Sequence, residues 1–343
     1  MKSGEKISFY ADNREPDVEK MVCGIMNGNR QMLARAITLV ESQNPDHEKK
    51  AHEILDRCLE KKSPSIRIGI TGSPGAGKST FIETLGLEII KSGHRLAVLA
   101  IDPSSMQSKG SILGDKARME KLAVNKHAYI RPSATSGYLG GTSPKTHETI
   151  LLCEAAGYDV IIVETVGVGQ SEIQVDSMTD FILLLMLPGS GDELQGIKRG
   201  IMEIADAIAV TKTDGEQTGL AAISKAECDA ALRMLPPKYP FWKREVFLTS
   251  AITEKGIKEV WQNITEFFTV MHEKNLLQEK RENQLKNLFT AILEDMLKKK
   301  FYLDREVCSS LTTTEQLVVT GKISPFSGAS SLINIFRHLD TLR

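Results

Sequence analysis

The chain has 343 residues, of which 41% are hydrophobic and 25% charged, with 43 Lys+Arg against 44 Asp+Glu. This is ordinary globular composition, enough for about two domains of ~150 residues each. A formal net charge of −1 removes the simplest argument for nucleic-acid binding, which asks for a strongly basic surface. The longest apolar run, 181–187, is strand-sized rather than the ~20 residues of a membrane span, and it stops at Pro188 and Gly189. Residues 1–19 lack the apolar stretch of a secretory leader and are too acidic for a transit peptide. Five cysteines, widely spaced and without a C-x-x-C, support neither a zinc knuckle nor a disulfide framework. These features predict a cytoplasmic, enzyme-sized protein with no nucleic-acid or membrane partner.

Residues 1–62 carry helical spacing. Val18, Met21, Val22 and Ile25 lie on one face, and Met32, Leu33, Ala36, Ile37 and Val40 repeat the pattern after Gly28. A third helix is expected over 46–60, with Pro45 at its start and Pro64 beyond its end. This N-terminal helical extension is expected to cap the main domain, with a docking module for a partner as the alternative.

From 63 to 274 the texture becomes strand–helix alternation. The runs 66–71, 96–101, 159–164, 181–187, 207–211 and 246–249 are short and almost wholly apolar, as strands buried on both faces are. Helical patterns over 78–91, 145–156, 192–204, 219–235 and 256–271 separate most of them. Repeated β-α-β predicts an α/β fold with a doubly wound, mostly parallel sheet, its ligands at the carboxyl ends of the strands.

The last region, 275–343, opens with an amphipathic helix. Leu285, Leu288, Phe289, Ile292, Leu293, Met296 and Leu297 form its stripe, and Lys298, Lys299 and Lys300 suit its C-terminal dipole. A helix with that stripe must bury it, either on its own nucleotide-binding domain or in a dimer. The second is favoured because the preceding domain already looks complete.

Gly72-Ser73-Pro74-Gly75-Ala76-Gly77-Lys78-Ser79-Thr80 matches G-x-x-x-x-G-K-[ST], follows a predicted strand and opens a predicted helix. Its glycines let backbone N–H groups curl into an anion-binding nest, to which the helix N-terminus adds its dipole. Lys78 is placed to bridge the β- and γ-phosphates, and Ser79 Oγ to ligate Mg²⁺. The motif defines a P-loop NTPase.

Two more strand ends carry acids. Asp102 closes the strand 96–101 beside the loop, and Glu164 closes 159–163 ahead of Thr165-Val166-Gly167. A carboxylate there is the Walker-B position, holding Mg²⁺ directly or through water. Gly167 would offer its N–H to the γ-phosphate, with no β-carbon to obstruct approach. Ras-type GTPases follow this glycine with a water-orienting glutamine. Here Val168 stands there, leaving Gln170, two positions further, as the candidate and predicting slow intrinsic turnover.

The strand 207–211 ends in Thr211-Lys212-Thr213-Asp214, a T/N-K-x-D pattern. Asp214 can accept from the ring N–H and exocyclic amine of guanine, a donor pair adenine lacks, so this loop selects GTP over ATP. Lys212 would cover the base plane. Ser250, Ala251 and Ile252 follow another strand, where a backbone N–H commonly meets the guanine carbonyl oxygen.

With these elements placed, the chain resembles the MeaB/ArgK-type GTPases, the G-protein chaperones of adenosylcobalamin-dependent methylmalonyl-CoA mutase, within the metallochaperone-like class of P-loop GTPases. The likeness is close over about 63–251 and looser in the helical flanks. Its specific stretches are 69–80, Asp102-Pro103-Ser104-Ser105, Gly110-Ser111-Ile112-Leu113-Gly114-Asp115-Lys116, and Glu164-Thr165-Val166-Gly167-Val168-Gly169-Gln170-Ser171-Glu172. Arg131-Pro132-Ser133 and Gly140-Gly141 also match, and the glutamate of E-x-x-G marks the class.

The resemblance implies that Asp102, Asp115 and Glu164 are the Mg²⁺ carboxylates and that 110–116 is a switch loop. It also implies a homodimer through the C-terminal helices, GTP hydrolysis to GDP, and gated delivery or protection of cobalamin on the mutase. Two departures stand out. Thr211 replaces an asparagine whose carboxamide helps tie the base loop to the phosphate loop. Lys109 precedes Gly110 where a glycine pair is common.

Three rivals are weaker. A P-loop small-molecule kinase needs no guanine-reading loop. Metal-delivery GTPases carry His-rich or Cys-pair sites, whereas the seven histidines here are scattered. A scaffold that binds GTP without hydrolysis would not need Lys78, Ser79, Asp102 and Glu164 together.

Overall fold

The strands form where β-branched and leucine runs are too short for helices and too apolar for solvent. The computed structural model describes residues 17–61, 63–102, 119–134, 144–165, 171–189 and 199–340. In chain order these give α1 (Val18–Met26), α2 (Arg30–Glu41), α3 (Pro45–Cys58), β1 (Ile66–Gly72), α4 (Lys78–Lys91) and β2 (Leu96–Asp102). Then follow α5 (Glu120–Ala123), β3 (Ala128–Ala134), α6 (Pro144–Ala155), β4 (Val160–Thr165), α7 (Ser171–Asp176), β5 (Phe181–Met186) and α8 (Arg199–Ile204). The remainder is β6 (Ala207–Val210), α9 (Thr218–Met234), β7 (Glu245–Leu248), α10 (Ile257–Glu273), α11 (Leu276–Tyr302), α12 (Arg305–Val319) and α13 (Pro325–Asp340).

Among the described residues seven strands pair in parallel, in the order β3-β2-β4-β1-β5-β6-β7. The six strands expected from sequence are present, with ends shifted by a residue or so. The seventh, β3, was not expected. Its sequence, AYIRPSA, has no continuous apolar run and contains Pro132. Pro132 is tolerated because, among the described residues, β3 lies at the edge of the sheet and pairs with β2 alone, so a missing N–H breaks no second ladder. Of the helix expected over 192–204, residues 199–204 are helical and 190–198 lie outside the described residues.

The chain lies in two compact units that divide at Arg281 and Glu282. In the first, alternate strand residues feed two cores. On one face Ile161, Val163, Ile182 and Leu184 join Ile150, Leu152 and Cys153 of α6, and the same buried cluster takes in Ile25, Leu33, Ile37 and Ile54 of α1–α3. On the other face Ile68, Ile70, Ile162 and Leu183 meet Phe81 and Leu85 of α4 and Trp261, Ile264 and Phe267 of α10. In the second unit α12 and α13 pack together, and Phe301 of α11 meets Phe336 of α13 edge to face at 5.4 Å. Asp304 caps α12 by accepting from the N–H groups of Glu306 and Val307.

A charged cluster lies within the first unit. The carboxylate of Asp206, fully buried, accepts from Ile182 N–H at 2.9 Å and from Lys238 Nζ at 3.1 Å. Lys238 Nζ also donates to Asp176 Oδ1 at 3.0 Å, which Lys280 Nζ reaches at 3.2 Å. Burial opposes the charge on Lys238, yet the carboxylates of Asp206 and Asp176 outweigh it and hold its pKa above the usual lysine value. Asp176 ends α7, the helix that follows the Glu164 loop, so the cluster fixes the far end of that segment. Lys238→Met would leave Asp206 buried without this cation, and breaking such a pair costs about 3–5 kcal/mol. Denaturant unfolding of the variant checks this, and a loss under about 1 kcal/mol would refute the cluster's role.

Candidate nucleotide site

β1 runs between β4 and β5, and the strand order turns back at this point, which places the end of β1 at the switch point of the sheet. Register sets Ile70 beside Glu164 on one side and Gly72 beside Leu185 on the other. A β-carbon on Gly72 would lie 2.3 Å from the Leu185 carbonyl oxygen, so only glycine lets the strand leave the sheet there. Gly75 and Gly77 follow with φ of +84° and +79°, curling the loop before α4 begins.

Lys78 is buried, and its ammonium donates to the carbonyls of Gly72 at 2.8 Å and Ser73 at 3.2 Å, inside the loop. Ser79 Oγ donates to Glu164 Oε1 at 3.2 Å. That contact brings together a hydroxyl and a carboxylate, hard oxygen donors of the kind Mg²⁺ takes, at the mouth of an anion-binding loop. Beneath it, Thr165 Oγ1 donates to Thr71 Oγ1 at 3.0 Å, locking the ends of β4 and β1. Ser73 Oγ is buried without a hydrogen-bond partner among the described residues. β2 delivers Asp102 to the same edge of the sheet, beside Ala134 in register, while its side chain lies outside the described residues. Asp115, Gly167, Gln170 and the loop 110–116 also lie outside them. Among the described residues no group of three His, Cys, Asp or Glu could hold a metal ion.

A cavity of about 470 Å³ adjoins the phosphate loop, an ordinary volume for a small-molecule site. Ala76, Gly77 and Thr80 line it from the loop and α4, Thr211, Lys212 and Asp214 from the turn after β6, and Ala251 and Ile252 from the turn after β7. Three segments far apart in sequence therefore meet around one space. Lys212 adopts a φ of +54°, a conformation non-glycine residues seldom take, and a β-carbon on Gly77 would lie 3.7 Å from its Cε. Asp214 is half-buried, and Ile252 is 78% exposed at the mouth. Phe81 and Gln217 complete the lining. Neither stood out in sequence, since Phe81 sits in an apolar helix pattern and Gln217 in a polar turn.

The departure at Thr211 has a structural answer. Thr211 Oγ1 donates to the Ala76 carbonyl of the phosphate loop at 2.8 Å, with Met186 O also in reach at 3.2 Å. A threonine hydroxyl thus makes the tie between base loop and phosphate loop for which the asparagine carboxamide was expected.

A glycine cradle, a buried lysine, a serine–carboxylate pair and a lysine–aspartate turn around one cavity define a P-loop GTPase. The family model for the methylmalonyl Co-A mutase-associated GTPase MeaB matches residues 33–306. GTPase ArgK of Escherichia coli is 41% identical over 93% of this chain and 96% of its own length. The mitochondrial methylmalonic aciduria type A homolog of Mus musculus is 42% identical over 95% of this chain and 81% of its own. A crystal structure described as LAO/AO transport system kinase is 34% identical, superposes with a TM-score of 0.74, and covers 93% of this chain and 97% of that one. The chain belongs to the MeaB family of GTPases.

Because the Thr211 tie is buried, Thr211→Val should weaken GTP and GDP alike by roughly 10-fold, the scale of one lost hydrogen bond. Calorimetry on both nucleotides checks this, and unchanged affinities would show that the tie does not hold the base loop.

Proposed function

We propose that the protein is a GTP-driven switch that binds an adenosylcobalamin-dependent acyl-CoA mutase, methylmalonyl-CoA mutase foremost, and gates the loading and protection of its cofactor. The observation that carries the switch is the Ser79–Glu164 contact at 3.2 Å, because it joins the metal-binding hydroxyl to the strand end from which the Gly167 loop departs. The partner rests on the family description and on relatives named for methylmalonic aciduria. A small-molecule kinase, the main rival, has no use for the Lys212–Asp214 turn.

Guanine would enter the cavity with its ring N–H and amine on Asp214, its face under the Lys212 stem and its carbonyl oxygen toward Ala251. Lys78 would exchange the loop carbonyls for β- and γ-phosphate oxygens and neutralise charge as the terminal bond breaks. Mg²⁺ when bound draws electron density from those oxygens. Ser79 and Glu164 suit it, and Asp102 and Asp115 are its further proposed carboxylates. Gly167 would donate its N–H to the γ-phosphate, and Gln170 is the proposed partner of the attacking water. With the Val168 side chain unable to hydrogen-bond, unassisted turnover is expected to fall below about one per second.

The mutase would supply the missing alignment, and linkage then requires the GTP and GDP forms to differ in mutase affinity. GTP turnover measured with and without saturating mutase should rise by ~10-fold or more, about 1.4 kcal/mol of barrier. Unchanged turnover together with equal mutase affinity in both nucleotide states would refute the switch.

We further propose a homodimer formed through α11. Leu285, Phe289, Leu293, Met296 and Leu297 remain 45–67% exposed within the chain, a continuous apolar stripe over three turns that a two-fold partner would cover. Phe289→Glu with Met296→Glu should convert the protein from dimer to monomer by light scattering. A monomer before substitution would sink this proposal.

A further inference from the structure

We propose that Thr84 is a positioning residue for guanine recognition: from the helix that starts at the phosphate loop, its hydroxyl holds the turn that carries Ala251. The inference rests on the guanine site proposed above and names a residue that no nucleotide atom would touch. Thr84 is half-buried on α4, and its Oγ1 donates to the Ala251 carbonyl oxygen at 3.1 Å. The same hydroxyl lies 3.1 Å from Thr80 O, but that oxygen already receives the helical N–H of Thr84 itself. Ala251 lies in an irregular turn, so a single hydroxyl hydrogen does more there than inside the helix.

The turn needs an anchor. Ser250 N–H donates to Lys255 O at 3.0 Å, and Thr253 N–H to Ser250 Oγ at 3.2 Å, which closes residues 250–255 on themselves. Glu254 at its tip holds a φ of +60°, and a β-carbon on Gly256 would lie 2.3 Å from Leu248 O. A turn held in unfavourable backbone conformations persists only where its surroundings fix it. The internal bonds set its shape, while the Thr84 bond sets where that shape sits relative to the phosphate loop. With Thr211 tied to Ala76, both base-reading turns are then registered against the phosphate cradle by threonine hydroxyls.

The division of labour gives a selective test. Asp214 would read the amine and ring N–H of guanine, and Ala251 N–H its carbonyl oxygen. 6-Thio-GTP replaces that oxygen with a larger, weaker acceptor and keeps both donors, while ITP keeps the oxygen and loses the amine. Calorimetry on the full chain should find GTP preferred over 6-thio-GTP by roughly 10-fold, about one hydrogen bond. Thr84→Val should cut that preference below about 3-fold and leave the GTP-over-ITP preference at its original value. Thr84→Ser, which restores the hydroxyl, should restore discrimination, and Thr84→Ala serves as the second deletion should the valine variant fold poorly. Two results would overturn the inference: an intact 6-thio-GTP penalty in both deletions, or parallel loss of both preferences. If the unaltered protein rejects ITP but not 6-thio-GTP, Ala251 is not the reader and the inference fails while the Asp214 assignment stands. If it rejects neither, the guanine site itself is wrong.

Discussion

The site depends on how closely β1 is held between β4 and β5 where the strand becomes the phosphate loop. Gly72 passes the Leu185 carbonyl so tightly that any side chain would collide with backbone, which cannot yield. On the other side, Thr71 and Thr165 join their hydroxyls between the strand ends. The loop therefore leaves the sheet at one height and in one direction. That sets Lys78 against the loop carbonyls and Ser79 against Glu164.

Short hydroxyl side chains recur at the joints around this loop. Thr211 reaches Ala76, Thr84 reaches Ala251, and Thr165 reaches Thr71. Each spans a gap that one β-branched residue fills, with χ1 already restricted by its own backbone, so little side-chain entropy is lost in making the bond. A longer amide would do the same work with more rotatable bonds to freeze. The phosphate loop thereby serves as the reference to which the proposed base-reading turns are attached.

A second, charged layer supports the segment after Glu164. Asp176, Asp206, Lys238 and Lys280 interlock around the end of α7, and Arg281 adds a bond from its Nε to Asp180 at 3.0 Å. Buried ion pairs are poor sources of net stability, because desolvation offsets most of the attraction. Their effect is geometric, since a carboxylate without its cation is costly and few alternative arrangements satisfy all of them. Lys280 and Arg281 lie in the first turns of α11, which continues to Tyr302 and carries the exposed apolar stripe.

Local order determined much of this molecule. Apolar runs of strand length alternating with helical spacing fix a parallel α/β sheet, and G-x-x-x-x-G-K-[ST] fixes a phosphate loop, because both patterns act through neighbours in the chain. β3 escaped because its edge position, which tolerates Pro132, is a property of the sheet and not of seven residues. The charges of buried Asp206 and half-buried Lys238 read in sequence as ordinary solvated residues, since nothing local reveals that each will find its counter-ion 32 positions away. At Thr211 the sequence showed an asparagine replaced, and only the fold brings Ala76 close enough for a hydroxyl to serve instead. Thr84 is the extreme case. Its partner lies 167 positions away, and in the chain it is one more polar residue on an amphipathic helix. Residue type and spacing decide what a segment can do, and long-range packing decides which of those capacities meet at one point.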